Sequence, residues 1–228
     1  MEVSVHPDRT SLSQAAAALI ASWAAEDEMT LGLAGGSTPA DTYDALGDFD
    51  IDWSRVSLWL SDERWVPLDH PDSNGRMALS HLPASAHDRL IRPRFSKYVT
   101  PADSAVHYDA ALRAMHGDTD PDVVLLGMGT DGHTASLFPN TAALDPEPHR
   151  WFVENHVPDL DTWRLTATPN LLCSARRVVV LVSGSEKASV LAEVLEGPDG
   201  RYPIQLLRSA RGEVTVVCDR DAASALSG

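Results

Sequence analysis

The chain has 228 residues, with 18 Lys or Arg against 33 Asp or Glu, a formal net charge of −15 and a pI near 4.8. That acidic balance excludes nucleic acid and anionic membrane surfaces as partners, since a basic face supplies most of the affinity for either. At 43% hydrophobic and 22% charged residues the composition is globular, and a chain this long buries roughly 70% of its unfolded surface without a disulfide or metal staple.

In chain order, Met1 to Arg9 shows no basic segment leading into an apolar one, so no leader peptide is expected. The Ala-rich stretch Ser11 to Ala25 is predicted as a helix, and Thr30 to Ala34 as a strand. A turn through Gly35-Gly36-Ser37-Thr38 follows, with Pro39 placed to start a second helix. Val56 to Leu60 is the next strand, after which Ser73 or Asn74 is placed to cap a helix through Met77. The Pro- and charge-rich stretch from Leu82 to Pro101 is expected as a surface excursion within the same domain. A helix from Ser104 to Met115, capped by Ser104 and stopped at Gly117, leads to the strand Asp122 to Leu126. A short helix cut off by Pro139 is expected next. The strand Arg177 to Val182, the helix Ser185 to Leu195 and the strand Val214 to Cys218 complete the pattern.

Strands that are almost wholly apolar suit a parallel sheet covered on both faces, so the alternation predicts a layered α/β/α architecture with one domain over residues 1–228. The longest apolar runs are far shorter than the roughly 20 residues of a membrane span. Cys173 and Cys218 sit in apolar contexts and are expected as two buried thiols, which fits a reducing cytoplasm. The patterns H-E-x-x-H and C-x-x-C are absent and the other histidines show no ligand spacing, so no metal site is expected.

Ligands of such sheets bind at the carboxyl ends of the strands, and the unusual residues fall there. Gly35 and Gly36 allow close backbone approach, while Ser37, Thr38 and a following helix start offer donors to an anion, most simply a phosphate. The second strand runs directly into Asp62, Glu63 and Arg64, a charge density that suits sugar hydroxyls or phosphate oxygens as well as a solvated turn.

Gly127, Gly129 and Gly132 satisfy the dinucleotide pattern G-x-G-x-x-G, but fit it poorly. Asp131 puts a negative charge where a pyrophosphate needs donors, and Pro139 shortens the helix that would follow. No second strand ends in an acid at the required distance either, Glu154 being a weak candidate. The glycines are better read as bringing main-chain N–H groups to a substrate, with Asp131 and His133 as reacting groups. Arg164 and Lys187 lie near the ends of the fourth strand, and in a chain with 18 basic residues they are candidates for an anionic substrate.

These segments together resemble the 6-phosphogluconolactonase family, within the group that includes glucosamine-6-phosphate isomerase/deaminases. The resemblance covers Gly35-Gly36-Ser37-Thr38-Pro39, Ser61-Asp62-Glu63-Arg64-Trp65-Val66-Pro67 with Ser73-Asn74, Gly127 to Pro139, Arg164-Leu165-Thr166, and Gly184 with Lys187-Ala188. After Asp-Gly-His the deaminases carry an Ile-Ala-Phe-Asn-Glu-Pro type of run whose glutamate assists ring opening. This chain has Thr134-Ala135-Ser136-Leu137-Phe138-Pro139, the lactonase form, and Asn140 where the family often has glycine.

The resemblance implies a mainly parallel, Rossmann-like sheet and hydrolysis of 6-phospho-D-glucono-1,5-lactone to 6-phosphogluconate in the oxidative pentose phosphate pathway. No cofactor, metal or covalent intermediate is implied, and the protein would be a cytoplasmic monomer or homodimer. His133 would be the general base. Main-chain N–H groups around Gly129 to Gly132, or Arg64, would stabilise the oxyanion. The Gly35 to Thr38 loop, Arg164 and Lys187 would hold the phosphate, and Asp131 and Asp62 would orient His133 or sugar hydroxyls. A deaminase-type enzyme and a non-catalytic sugar-phosphate sensor are the alternatives; such sensors usually add a DNA-binding module, for which the chain has neither length nor basic charge.

Overall fold

The computed structural model of the chain describes residues 1–227. In chain order its elements are β1 (Glu2–His6), α1 (Arg9–Glu26), β2 (Met29–Leu33), α2 (Ser37–Leu46), β3 (Val56–Leu60), β4 (Asp62–Arg64), α3 (Asn74–His81) and β5 (Leu90–Ile91). There follow α4 (Pro101–His116), β6 (Val123–Gly127), β7 (Phe152–Val157), β8 (Thr162–Ala167), α5 (Pro169–Ser174), β9 (Arg177–Val182), α6 (Ala188–Glu196) and β10 (Glu213–Asp219).

The five predicted strands form the body of a seven-stranded sheet ordered β1-β10-β9-β6-β2-β3-β5, in which every neighbouring pair is parallel. Alternate residues of each strand point to opposite faces, and both faces are buried. Val124, Leu126, Val178, Val180 and Val216 pack with Leu112 of α4, Leu171 of α5 and Leu191 of α6. Val123, Leu125, Val179, Leu181 and Val217 pack on the other side with Leu12, Ala16 and Ile20 of α1 and Tyr43 and Leu46 of α2. The result is the three-layer α/β/α arrangement expected. Among the described residues, no helix is long and apolar enough to cross a membrane.

A second sheet, ordered β4-β8-β7 and antiparallel throughout, was not expected. Its strands carry charges and mixed polarity, so hydropathy gives no strand signal there. It is welded to the main sheet at Ser61, whose N–H donates to the Leu33 carbonyl at 2.8 Å while its own carbonyl accepts from the Ala167 N–H at 2.8 Å.

Several local expectations are corrected. No helix follows Gly129; the segment turns back on itself through an isolated bridge between Thr134 and Leu137, with Ala135 at φ 47°. The stretch from Leu82 to Pro101 is more than an excursion, because Leu90 and Ile91 add an edge strand and Ala86 is fully buried. α4 starts earlier than expected, since Thr100, not Ser104, caps it and Pro101 occupies the first turn. α2 begins at Ser37, two residues before Pro39, and α6 is preceded by a 3-10 turn over Ser185–Lys187. Cys218 is buried but Cys173 is partly exposed; both are free thiols.

Candidate active site

Strand order reverses between β2 and β6: β3 and β5 lie on one side, and β9, β10 and β1 on the other. Loops leaving the carboxyl ends of such a pair diverge and open a crevice. Here it is a cleft of about 230 Å³ lined by Gly35, Gly36, Ser37, Thr38, Asp62, Arg64, Gly129, His133 and Lys187 among others. The expected residues Asp131, Gly132 and Arg164 are not part of this lining. Ala34, Met128, Ala135 and Leu181 also line the cleft. They were missed because apolar residues at strand ends cannot be told from core by type.

Asp131 settles against the histidine ring. Its Oδ1 lies 2.6 Å from His133 Nδ1 and also accepts the His133 main-chain N–H at 3.1 Å. A carboxylate is an acceptor only, so Nδ1 carries the proton and Nε2 keeps a lone pair. On its face the ring stacks on Phe138, with centroids 4.2 Å apart and planes at 27°. Spacing alone left open whether Asp131 would meet the ring or a ligand.

The glycines of this segment serve the ring in a way not anticipated. The Gly129 N–H donates to the His133 carbonyl at 2.9 Å, and the Gly132 N–H to the Gly129 carbonyl at 3.0 Å. Both of these donors are therefore committed within the loop, which leaves the N–H groups of Thr130 and Asp131 and the Arg64 guanidinium as the remaining donors of the expected set. Gly129 is needed for another reason: a Cβ there would collide with the His133 ring. Gly132 lies against the Tyr202 ring. Asn140 adopts φ 59°, a left-handed conformation that asparagine tolerates better than most other side chains.

On the opposite wall, Gly36 at φ 106° turns the chain into α2, and no side chain caps that helix. The positive end of α2 thus faces the cleft with exposed Ser37 at its tip. Lys187 approaches the same region, because Arg9, which pairs with Asp41 of α2 at 2.6 Å, lies close enough for its charge to act on Lys187. Partial burial, reinforced by Arg9 and opposed by Glu186 and Asp219, holds the Lys187 ammonium below its ordinary pKa. Among the described residues Lys187 forms no ion pair.

The three charges after β3 separate by strand alternation. Asp62 is buried but reaches the cleft, accepting from Ser136 Oγ at 2.6 Å and from Asn74 Nδ2 at 3.1 Å. Glu63 points the other way and anchors the start of α3, accepting from Ser73 Oγ and from the N–H groups of Arg64, Asn74 and Gly75. Burial pushes its carboxyl above the usual range despite these donors. Arg64 returns to the cleft, its Nη1 donating to the Asp72 carbonyl at 2.6 Å.

Arg64 and Arg164 occupy directly opposed positions of the β4–β8 pair. Burial, and then the charge of Arg64, lowers the Arg164 pKa, and its Nε meets no acceptor. Ser136 and Asn74, which hold Asp62, were not singled out as site residues. Asn74 lies in a quoted motif, but nothing local shows that its amide crosses to Asp62.

Comparison with known proteins agrees with this architecture. Residues 7–216 match the family described as glucosamine-6-phosphate isomerases/6-phosphogluconolactonase. The chain is 36% identical over 202 residues to the 6-phosphogluconolactonase of Synechocystis, covering 85% of this chain and 82% of that protein. It is 33% identical to the Nostoc 6-phosphogluconolactonase, covering 99% of this chain and 98% of the relative. The solved structure of 6-phosphogluconolactonase from Trypanosoma brucei superposes with a TM-score of 0.86 at 28% identity, over 99% of this chain and 98% of that one. The chain therefore belongs to the family of glucosamine-6-phosphate isomerases and 6-phosphogluconolactonases.

Proposed function

We propose that the protein hydrolyses 6-phospho-D-glucono-1,5-lactone to 6-phosphogluconate, the lactonase step of the oxidative pentose phosphate pathway, with His133 as general base. The observation that carries this reading is the His133–Asp131 pair at 2.6 Å, at a cleft that also holds an uncapped helix start and an unpaired lysine. The names of the relatives support the same substrate.

With Nδ1 held by Asp131, Nε2 takes a proton from water as that water attacks the lactone carbonyl. The imidazolium so formed, stabilised by the Asp131 carboxylate, then gives the proton to the departing ring oxygen. Negative charge gathers on the carbonyl oxygen in between; with the Gly129 and Gly132 N–H groups already bonded inside the loop, the donors assigned to it are Arg64 or the N–H groups of Thr130 and Asp131. Asp62, fixed by Ser136 and Asn74, accepts a sugar hydroxyl. The phosphate rests on the start of α2 with Lys187. A lactone is an activated ester, so one oriented base and good positioning suffice. The run from Thr134 to Phe138 carries no acid for the ring opening that a deaminase needs.

The test is a lactone hydrolysis assay with the spontaneous rate subtracted, run beside an assay for ammonia release from glucosamine 6-phosphate. Lactone turnover that disappears in a folded His133→Ala variant is the expected result. Wild-type turnover in that variant would remove His133 as the base, and ammonia release without lactone turnover would overturn the assignment.

A further inference from the structure

A second cavity, of about 340 Å³, adjoins the cleft, and Arg64 is the one lining residue common to both. In a chain of net charge −15, three arginines converge on it: Arg64, Arg92 and Arg94. Among the described residues none of the three forms an ion pair. The lining contains one acid, Glu63, whose carboxylate is turned to Ser73 and to the main chain at the start of α3 and so leaves the guanidinium groups without a direct counter-ion. The Arg92 stem packs over that helix start against Gly75, so its head group is delivered from an ordered base.

The other wall is apolar. Trp65 and Phe95 meet with ring centroids 4.9 Å apart and planes at 55°, and Phe95 remains 37% exposed. Like charges gathered on one cavity without an ion pair repel unless an anion joins them, and guanidinium groups are suited to phosphate oxygens in particular. Beside them Phe95, exposed and backed by the partly buried Trp65, offers a stacking face to a planar ring. Cavities that bind small ligands measure about 300–1,000 Å³, so the volume suits a compact ligand carrying both features.

We propose that this cavity binds a phosphorylated ligand with a planar ring, in the simplest case a nucleoside monophosphate, its phosphate on Arg92 and Arg94 and its ring against Trp65 and Phe95. Because Arg64 borders both cavities, occupancy of one alters binding in the other, and the coupling is reciprocal.

The experiment is a titration of the full chain with AMP in the absence of any lactone, followed by calorimetry and tryptophan fluorescence, with adenosine and inorganic phosphate as comparison probes. AMP is expected to saturate a single site and to bind about tenfold more tightly than either fragment. Arg94→Ala should weaken AMP by about tenfold, the loss of one charge-assisted contact. Phe95→Ala should bring AMP down toward the affinity of inorganic phosphate. Both residues are exposed, so the variants are expected to fold, which circular dichroism checks. Lys187→Ala, which alters the catalytic cleft alone, should leave AMP binding intact. The proposal is overturned if AMP fails to saturate by millimolar concentration, if inorganic phosphate binds as tightly, or if AMP affinity is lost in Lys187→Ala and kept in Arg94→Ala.

Discussion

One carboxylate oxygen of Asp131 serves His133 twice, accepting the ring at 2.6 Å and the main-chain N–H of the same residue at 3.1 Å. The double contact ties ring orientation to backbone position and selects the tautomer. Asp131→Asn presents an amide that can donate to Nδ1 and so stabilise the wrong tautomer. Lactone kcat is expected to fall by about 10- to 100-fold with KM little changed. An unchanged kcat measured by initial rates would show that the ring needs no such partner.

Gly129→Ala inserts a methyl group where the His133 ring now lies. The ring is part-exposed and can swing outward, so stability should change little, whereas a misplaced base loses its attack geometry. A fall in kcat of about 100-fold is expected, the scale seen for displacements near 1 Å, with the melting temperature nearly preserved. Thermal denaturation run beside the rate assay separates this from simple unfolding.

Lys187 and Arg164 are predicted to differ. Lys187 lines the cleft beside the start of α2, whereas Arg164 lies beside Arg64 across the β4–β8 pair and outside the cleft lining. Lys187→Ala should raise KM for the phosphorylated lactone by about tenfold, the worth of one charge-assisted contact, and leave unphosphorylated gluconolactone unaffected. Arg164→Ala should affect both lactones alike, because it acts through Arg64. A phosphate-selective effect of Arg164→Ala would move the phosphate to the other wall of the cleft.

His116 predicts an acid limb in stability. It is buried at the end of α4 with Trp59 and Trp151 edge-on at 5.9 and 5.8 Å, and neither ring nitrogen meets a partner among the described residues. Burial lowers its pKa in the folded state, against the opposing pull of Asp122 and Asp120. The unfolded chain then binds a proton near pH 6.5 that the folded one refuses. Stability is full above that pH and falls as pH drops toward the lower folded value. His116→Phe should flatten this limb in urea denaturation at pH 5 and pH 7. An identical limb in the variant would assign it to other groups.

Periodicity is a local signal that reports which faces meet solvent, and for that reason the five apolar runs of the main sheet could be read directly, together with the layers that cover them. The glycine-rich segments were legible for a related reason, since charges and glycines just past an apolar strand break the core pattern visibly. What stayed hidden depended on partners distant in sequence. β4 is three charged residues until Thr166, Leu165 and Arg164 pair with it. Asp62 takes its orientation from Ser136 and Asn74, and the donors of Gly129 and Gly132 were spent in closing their own loop. The scarcity of cations in a chain of charge −15 marked Arg64, Arg164 and Lys187 as worth attention. Composition, order and motif thus determined the layered main sheet and singled out His133 as the candidate base, because those are written in residue type and spacing. Tertiary structure alone decided which side of each residue faces the cleft, because that is set by contacts the chain makes only when its distant segments meet.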